Sequence, residues 1–125
     1  MQDFYREEMM EHYKHPHNRG TLTDADLVVH EKNPFCGDEI DLQLKIAGGK
    51  IEEAMFSGDA CAVSLASSSM VTDFLKGKSL AEASALSKDD ILAMIGVELT
   101  TSRVKCATLV LDAFQGALKE FDAKN

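Results

Sequence analysis

The sequence lacks any hydrophobic run long enough to cross a membrane. Hydrophobic residues make up 45% of its 125 positions, but no uninterrupted apolar stretch approaches the roughly 20 residues that a spanning helix needs. The first eleven residues are acidic and have a helical pattern, which is not typical of a secretory signal. We therefore expect a cytoplasmic protein without a membrane partner.

Basic residues are also few. The chain has 13 lysines and arginines against 21 aspartates and glutamates, which gives a formal net charge of −8 at pH 7. A protein that binds nucleic acid needs a basic face to neutralise the phosphates. The charge therefore argues against a nucleic-acid partner and favours a protein with a basic surface or a cationic ligand.

Cysteine is sparse, and the number of cysteines is odd. The three are Cys36, Cys61 and Cys106. An odd number in a chain without a secretory signal argues against a disulfide framework and indicates a reducing compartment. No two of them form a local Cys-x-x-Cys pair, so only folding can bring them together. They are either small buried core residues or ligands of one thiolate-rich metal site.

No repeat, low-complexity tract or linker divides the chain. Domains usually contain roughly 100–150 residues, so we expect one domain over residues 1–125. At its start, Tyr5, Met9 and Tyr13 recur every four residues, which is the spacing of one helix face. This stripe predicts a helix over residues 3–14.

The middle of the chain has the pattern of an antiparallel sheet. Apolar and polar residues alternate strictly through residues 39–47, as in a strand with one buried face. Gly48 and Gly49 then predict a tight hairpin turn into a partner strand over residues 50–57. A shorter strand is predicted at residues 27–30.

The second half of the chain has helical patterns. Helices are predicted over residues 61–76, 79–86 and about 103–121, with a further helix opened by Ser87 as its cap and by acids in its first turn. A helix, three strands and then helices predict an α+β fold. We expect a two-layer sandwich in which a three-stranded antiparallel meander packs against the C-terminal helices, with an N-terminal helix beside it.

The cysteines fall at informative places on these predicted elements. Cys36 lies in a loop between strands and is followed two residues later by Asp38, while Cys61 and Cys106 fall in the first turns of predicted helices. A helix start carries partial positive charge and lowers the pKa of a thiol, and Lys105 adds a cation beside Cys106. Three thiolates and a carboxylate suit one tetrahedral metal ion.

Three segments carry a family resemblance. Residues 33–38 (Asn-Pro-Phe-Cys-Gly-Asp), 58–69 (Gly-Asp-Ala-Cys-Ala-Val-Ser-Leu-Ala-Ser-Ser-Ser) and 103–109 (Arg-Val-Lys-Cys-Ala-Thr-Leu) resemble the three cysteine motifs of the U-type iron–sulfur cluster scaffolds. This is the family of IscU, SufU and the N-terminal domain of NifU. Residues 5–20 are also similar to the family's opening segment, so the resemblance spans almost the whole chain in order.

The resemblance implies a function for each of these residues. It implies a [2Fe–2S] cluster assembled on Cys36, Cys61 and Cys106, with Asp38 as a neighbouring ligand or a regulator of cluster release. Sulfur would arrive as persulfide from a cysteine desulfurase, with Cys106 as the acceptor, and the cluster would pass to apo iron–sulfur client proteins. The same four residues bind Zn²⁺ in many family members, and a homodimer could complete the coordination.

Two departures place the chain between the IscU and SufU branches. Lys105 stands where the IscU branch has a histidine, and the chain lacks that branch's Leu-Pro-Pro-Val-Lys motif, so the resemblance does not extend to a dedicated Hsp70 chaperone. Residues 103–109 look like the SufU branch, yet the spacing from Cys61 to Cys106 leaves no room for the insertion that SufU proteins carry there.

Two hypotheses follow from these departures. The first is a non-catalytic scaffold that builds a [2Fe–2S] cluster and hands it on, which the missing insertion favours. The second is a zinc-dependent, sulfurtransferase-like acceptor of persulfide, which the missing histidine favours. We favour the scaffold. In either case Lys105 is either a simple surface lysine or a residue that tunes the Cys106 thiolate or steers persulfide.

Other polar residues are predicted to have simpler roles. His12, His15 and His17 straddle a helix end, and their spacing does not fix a common face, so we expect solvated surface histidines rather than a metal site. His30 is expected on the wet side of its strand. The serines that follow Cys61 are expected to allow tight helix packing rather than catalysis, because no activating base is evident.

Overall fold

A computed structural model of the protein describes residues 2–34 and 37–124. Its elements are α1 (Gln2–Lys14), β1 (Leu27–Lys32), β2 (Glu39–Ala47), β3 (Lys50–Asp59), α2 (Ala62–Leu75), α3 (Leu80–Ser84), α4 (Lys88–Ile95), α5 (Thr101–Ala107) and α6 (Leu109–Lys124). The predicted α+β class is confirmed. None of the described helices is both long and apolar enough to cross a membrane.

The sheet follows directly from the alternating pattern. Its strand order is β1-β2-β3, and both neighbouring pairs are antiparallel. Ile40, Leu42 and Leu44 on β2 are fully buried, so the apolar residues of this strand point to the core, as predicted. Gly48 and Gly49 have φ angles of 59° and 74°, the left-handed conformation that a two-residue hairpin turn requires.

The helices cover one face of this sheet and supply the rest of the core. Helix α6 packs on β1 and β2, α2 packs on β3, and α1 packs mainly against α2. The largest fully buried side chains include Phe56, Phe114, Leu75, Leu111 and Val71. Burying each such side chain contributes roughly 1.5–3 kcal/mol to folding, so the helical layer and the sheet stabilise each other.

The predicted last helix is two helices in the structure. Helix α5 ends at Ala107, and α6 begins at Leu109. Between them Thr108 has φ −99° and ψ 3°, and its hydroxyl donates a hydrogen bond to the carbonyl oxygen of Val104 at 3.0 Å. Such back-bonding by a helical threonine tends to bend a helix, which explains the break that the apolar periodicity did not reveal.

The junction between α1 and α4 depends on a glycine. Helix α4 begins at the predicted cap Ser87, whose hydroxyl accepts a hydrogen bond from the Asp90 backbone N–H, and ends at Gly96, which has φ 71°. A Cβ atom on Gly96 would lie only 2.2 Å from Cγ of the Tyr5 ring, which is a steric clash. Tyr5 therefore packs against the end of α4, whereas neighbouring Phe4 is 63% exposed.

A candidate thiolate metal centre

Three of the predicted ligands converge where α2 and α5 meet the loop before β2. Asp38, Cys61 and Cys106 each offer one ligand atom within 4.8 Å of the other two. Asp38 and Cys106 are only 6% and 3% exposed, and Cys61 is half-buried. The fourth predicted ligand, Cys36, lies outside the described residues, so its place in the site stays a prediction.

Asp38 is positioned by hydrogen bonds at both ends of its loop and to α2. The backbone N–H of Asn33 donates to the Asp38 carbonyl at 2.8 Å, and that of Gly37 donates to the Asn33 carbonyl at 2.9 Å. One Asp38 carboxylate oxygen accepts from the Cys61 backbone N–H at 3.0 Å, and the other accepts from the Ser64 hydroxyl at 2.8 Å. Asp38 therefore ties the loop before β2 to the N-cap residue of α2, whose own side chain makes no capping hydrogen bond.

The two described cysteines occupy opposite helix ends. Cys61 directly precedes α2, as predicted. The prediction that Cys106 lies in the first turn of a long helix is wrong, because the helix begins earlier, at Thr101, and Cys106 falls in its last turn. The sequence argument from helix starts therefore does not apply to Cys106.

Ser64 is a site residue that sequence reasoning missed. Its hydroxyl lies 2.8 Å from a carboxylate oxygen of Asp38 and 2.9 Å from the backbone carbonyl of Cys106, while the Cys61 sulfur lies 3.8 Å away. One hydroxyl proton is therefore shared between two buried acceptors. The available signal was its position three residues after the N-cap Cys61, where a side chain commonly takes part in capping.

Serines farther along α2 are packing residues, as predicted, and they differ in their hydrogen bonds. The Ser67 hydroxyl donates to the carbonyl of Ala107. Within residues 2–34 and 37–124, the fully buried Ser68 hydroxyl has no hydrogen-bond partner. These small side chains let α2 approach α5 closely and bring Cys61 near Cys106.

Lys105 directly precedes the candidate ligand Cys106 and is exposed. It lines an open cleft of about 250 Å³ together with Lys32 and Lys88, and Asn33 and Asp112 also contribute to the wall. The cleft borders the loop that leads to the candidate ligands. Three lysines on one cleft form a local positive region in an acidic chain, which the sequence did not reveal because they come from separate elements.

His12 is half-buried and not fully solvated, whereas His17 is exposed, as expected. The rings of His12 and His17 lie with their centroids 4.6 Å apart, and together with Asp73 they form a second group of donors. His15 is exposed, as expected. His30 is on the wet side of β1, also as expected, where its ring bonds to Asp41 on β2 at 2.7 Å.

Known proteins resemble the chain in sequence and in fold. The family model described as the NifU-like N terminal domain matches residues 4–125. The zinc-dependent sulfurtransferase SufU of Bacillus subtilis is 40% identical over 134 aligned residues, which cover 93% of this chain and 90% of that protein. The iron–sulfur cluster assembly scaffold protein IscU of Escherichia coli is 37% identical over 124 residues, covering 96% and 95%.

A solved structure shows the same fold. The N-terminal part of a nitrogen-fixing NifU-like protein from Brucella abortus superposes with a TM-score of 0.81, covering 99% of this chain and 98% of that one at 20% identity. The alignment with SufU, at 134 residues, is longer than this 125-residue chain. SufU therefore carries residues that have no counterpart here.

Proposed function

Because the chain belongs to the NifU-like N-terminal domain family, we propose that it is a scaffold on which a [2Fe–2S] cluster is assembled and from which the cluster passes to apo-proteins. The observation that carries the proposal is the convergence of Asp38, Cys61 and Cys106. The IscU relatives are named as scaffold proteins. The family match over residues 4–125 supports a single scaffold domain.

The proposed ligands of the cluster are Cys36, Cys61 and Cys106, with Asp38 as the neighbouring ligand. Thiolates are the usual ligands of iron–sulfur clusters. Consecutive α carbons are 3.8 Å apart across a trans peptide, so the α carbon of Cys36 can be at most about 7.6 Å from that of Asp38. This short tether is compatible with Cys36 as the third thiolate ligand.

We propose a cysteine desulfurase as the sulfur donor and Cys106 as the acceptor. The Cys106 thiolate would attack the outer sulfur of the desulfurase persulfide, the sulfur–sulfur bond would break, and the desulfurase cysteine would leave as a thiolate. Lys105, with the other lysines of its cleft, would attract the anionic persulfide. Because Cys106 is 3% exposed, this step requires a local opening of the site.

Anaerobic reconstitution tests the proposal. The protein would be incubated with ferrous iron, cysteine, a cysteine desulfurase and a thiol reductant. We expect a visible chromophore with about two irons per chain, weakened or lost in Cys61→Ala and Cys106→Ala. Asp59→Ala, which removes an exposed acid two residues before Cys61, serves as the matched control and keeps the chromophore.

A second candidate function is a zinc-dependent acceptor of persulfide. The SufU relative supports it by name and by its 40% identity. The donor spacing also suits one ion, since Zn–S bonds of about 2.3 Å in a tetrahedron place ligand atoms about 3.8 Å apart. In the reconstitution experiment, retention of zinc alone with faster desulfurase turnover and no chromophore would favour this function and refute the scaffold.

A further inference from the structure

A second cluster of metal-binding side chains lies well away from the cysteines. His12 near the end of α1, His17 in the following loop and Asp73 on α2 each offer one ligand atom within 4.8 Å of the other two. Asp73 follows Cys61 by twelve residues along α2, which corresponds to about 18 Å at 1.5 Å per residue. The two clusters are therefore separate sites.

The side chains of this cluster are held in place by α2. The Nδ1 atom of His17 lies 2.5 Å from a carboxylate oxygen of Asp73, and Nδ1 of His12 lies 2.7 Å from the hydroxyl oxygen of Ser69. The Ser69 hydroxyl also accepts the His17 backbone N–H at 2.7 Å, and Asn18 donates to the second Asp73 oxygen at 2.8 Å. Such partners orient the ligands of a metal site.

The charges around the cluster also favour a cation. Burial and the neighbouring His17 lower the pKa of His12. Burial raises the pKa of Asp73, but hydrogen bonds from His17 and Asn18 outweigh it and leave that pKa below its usual value.

An open cavity gives access to the cluster. His12 and Asp73 line a cavity of about 340 Å³ whose walls also include Glu8, Tyr5 and Met94. Glu8 lies one helical turn before His12 and adds a second negative charge at the entrance. The cavity is bounded by residues of α1, α2 and α4, so an ion could enter without any rearrangement of the core.

We propose that His12, His17 and Asp73 form a binding site for a divalent transition-metal ion, with Zn²⁺ as the best match. Two imidazole nitrogens and a carboxylate oxygen are typical Zn²⁺ ligands, and three protein ligands leave one position open to water. The ion would join α1 and the following loop to α2. The site is independent of the proposed cluster and needs none of the cysteines.

Cobalt absorption provides a direct test. The protein would first receive one equivalent of Zn²⁺, which the thiolate centre takes, and would then be titrated with Co²⁺. We expect saturation at one equivalent of Co²⁺, with weak visible d–d bands and without the intense near-ultraviolet bands of cobalt–thiolate coordination. Thiolate bands, or no saturable binding, would overturn the proposal.

Matched variants assign the binding to these residues. His17→Ala and Asp73→Asn are expected to weaken Co²⁺ binding by about 10-fold or more. His15→Ala removes an exposed histidine from the same segment and should leave the affinity unchanged. Equal affinity in His17→Ala and the parent protein, or an equal loss in His15→Ala, would overturn the assignment. Iron loading of the thiolate centre should be the same in all three variants. A failure of the proposed His12–His17–Asp73 site is therefore distinguishable from a failure of the proposed scaffold function.

Discussion

Single side chains hold the thiolate centre together, and Ser64 is the clearest case. Its hydroxyl lies between a carboxylate oxygen of Asp38 and the carbonyl of Cys106, so it links the loop before β2 to α5. Both acceptors are buried, and burying a polar group with one partner fewer is costly. We therefore regard Ser64 as the residue that positions these two ligands.

Ser64→Ala should lower the free energy of unfolding by about 1–3 kcal/mol. Ser68→Ala is the matched control, because Ser68 lies on the same helix and is fully buried, but its hydroxyl has no partner among the described residues. That variant should leave the stability unchanged or raise it. Urea denaturation of both variants would measure their free energies of unfolding. An equal loss of stability in the two would contradict the role of Ser64.

Asp38→Ala should slow the transfer of an assembled cluster. In the structure the carboxylate is bonded to the Cys61 N–H and to Ser64, so it has partners to which it can return when it leaves a metal. A ligand that detaches in this way opens a coordination position for the recipient. The rate of transfer to an apo-ferredoxin would be compared with that of Asp59→Ala, and an unchanged rate in Asp38→Ala would refute the prediction.

His30 should titrate above its ordinary value. The hydrogen bond with Asp41 raises its pKa above 6.5, with a smaller contribution from Glu39. The pKa of His30 is higher in the folded state than in the unfolded state. The stabilisation of the fold by the His30–Asp41 interaction is therefore fully present below about pH 6.5, and it is lost as the pH rises through the folded-state pKa. NMR titration should show a lower midpoint in Asp41→Asn and a smaller change in Glu39→Gln; the reverse order would count against this account.

At the scale of secondary-structure elements, the sequence predicted most accurately those elements that depend on a local pattern of apolar and polar residues. The alternation through β2 located Glu39–Ala47 correctly, because each residue's face in a strand depends only on its neighbours. The break at Thr108 could not be predicted in this way, because both halves of the 103–121 segment keep an apolar face. Cys106 therefore lies in the last turn of α5 and not in the first turn of one long helix.

The candidate metal sites show the same limit of prediction from local sequence. The cysteine motifs pointed to Asp38, Cys61 and Cys106 without any knowledge of the fold. By contrast, His12 and His17 meet Asp73 only because α1 packs against α2. Contacts between distant segments set that geometry, and no spacing in the sequence encodes it.

Gly96→Ala should detach α1 from α4. The substitution requires a left-handed conformation at φ 71°, which costs about 1–2 kcal/mol outside glycine. It also places a methyl group in steric clash with the Tyr5 ring. Gly77→Ala is the control, because it has φ 83° and open space around its Cβ position. Thermal denaturation should show a larger loss of stability in Gly96→Ala, whereas equal losses would mean that Tyr5 does not pack there.

At the scale of the whole molecule, charge and architecture agree with a carrier of a metal–sulfur group. The chain has a net charge of −8, yet Lys32, Lys88 and Lys105 line one cleft beside the loop before β2. The sheet and α6 form the base, and the candidate ligands lie on the loop and the helix ends at its edge. Because Asp38 and Cys106 are buried, a recipient reaches them through a local opening at this edge.

Transfer of the cluster in the presence of an iron chelator tests the central claim most directly. The reconstituted protein would be mixed with an apo-ferredoxin and a chelator that captures free ferrous iron, and the spectrum of the ferredoxin would be followed. The scaffold account predicts that the ferredoxin gains its cluster at the expense of this protein, while the chelator captures little iron. If the iron goes to the chelator and the ferredoxin stays apo, the protein does not hand on a cluster and the account is wrong.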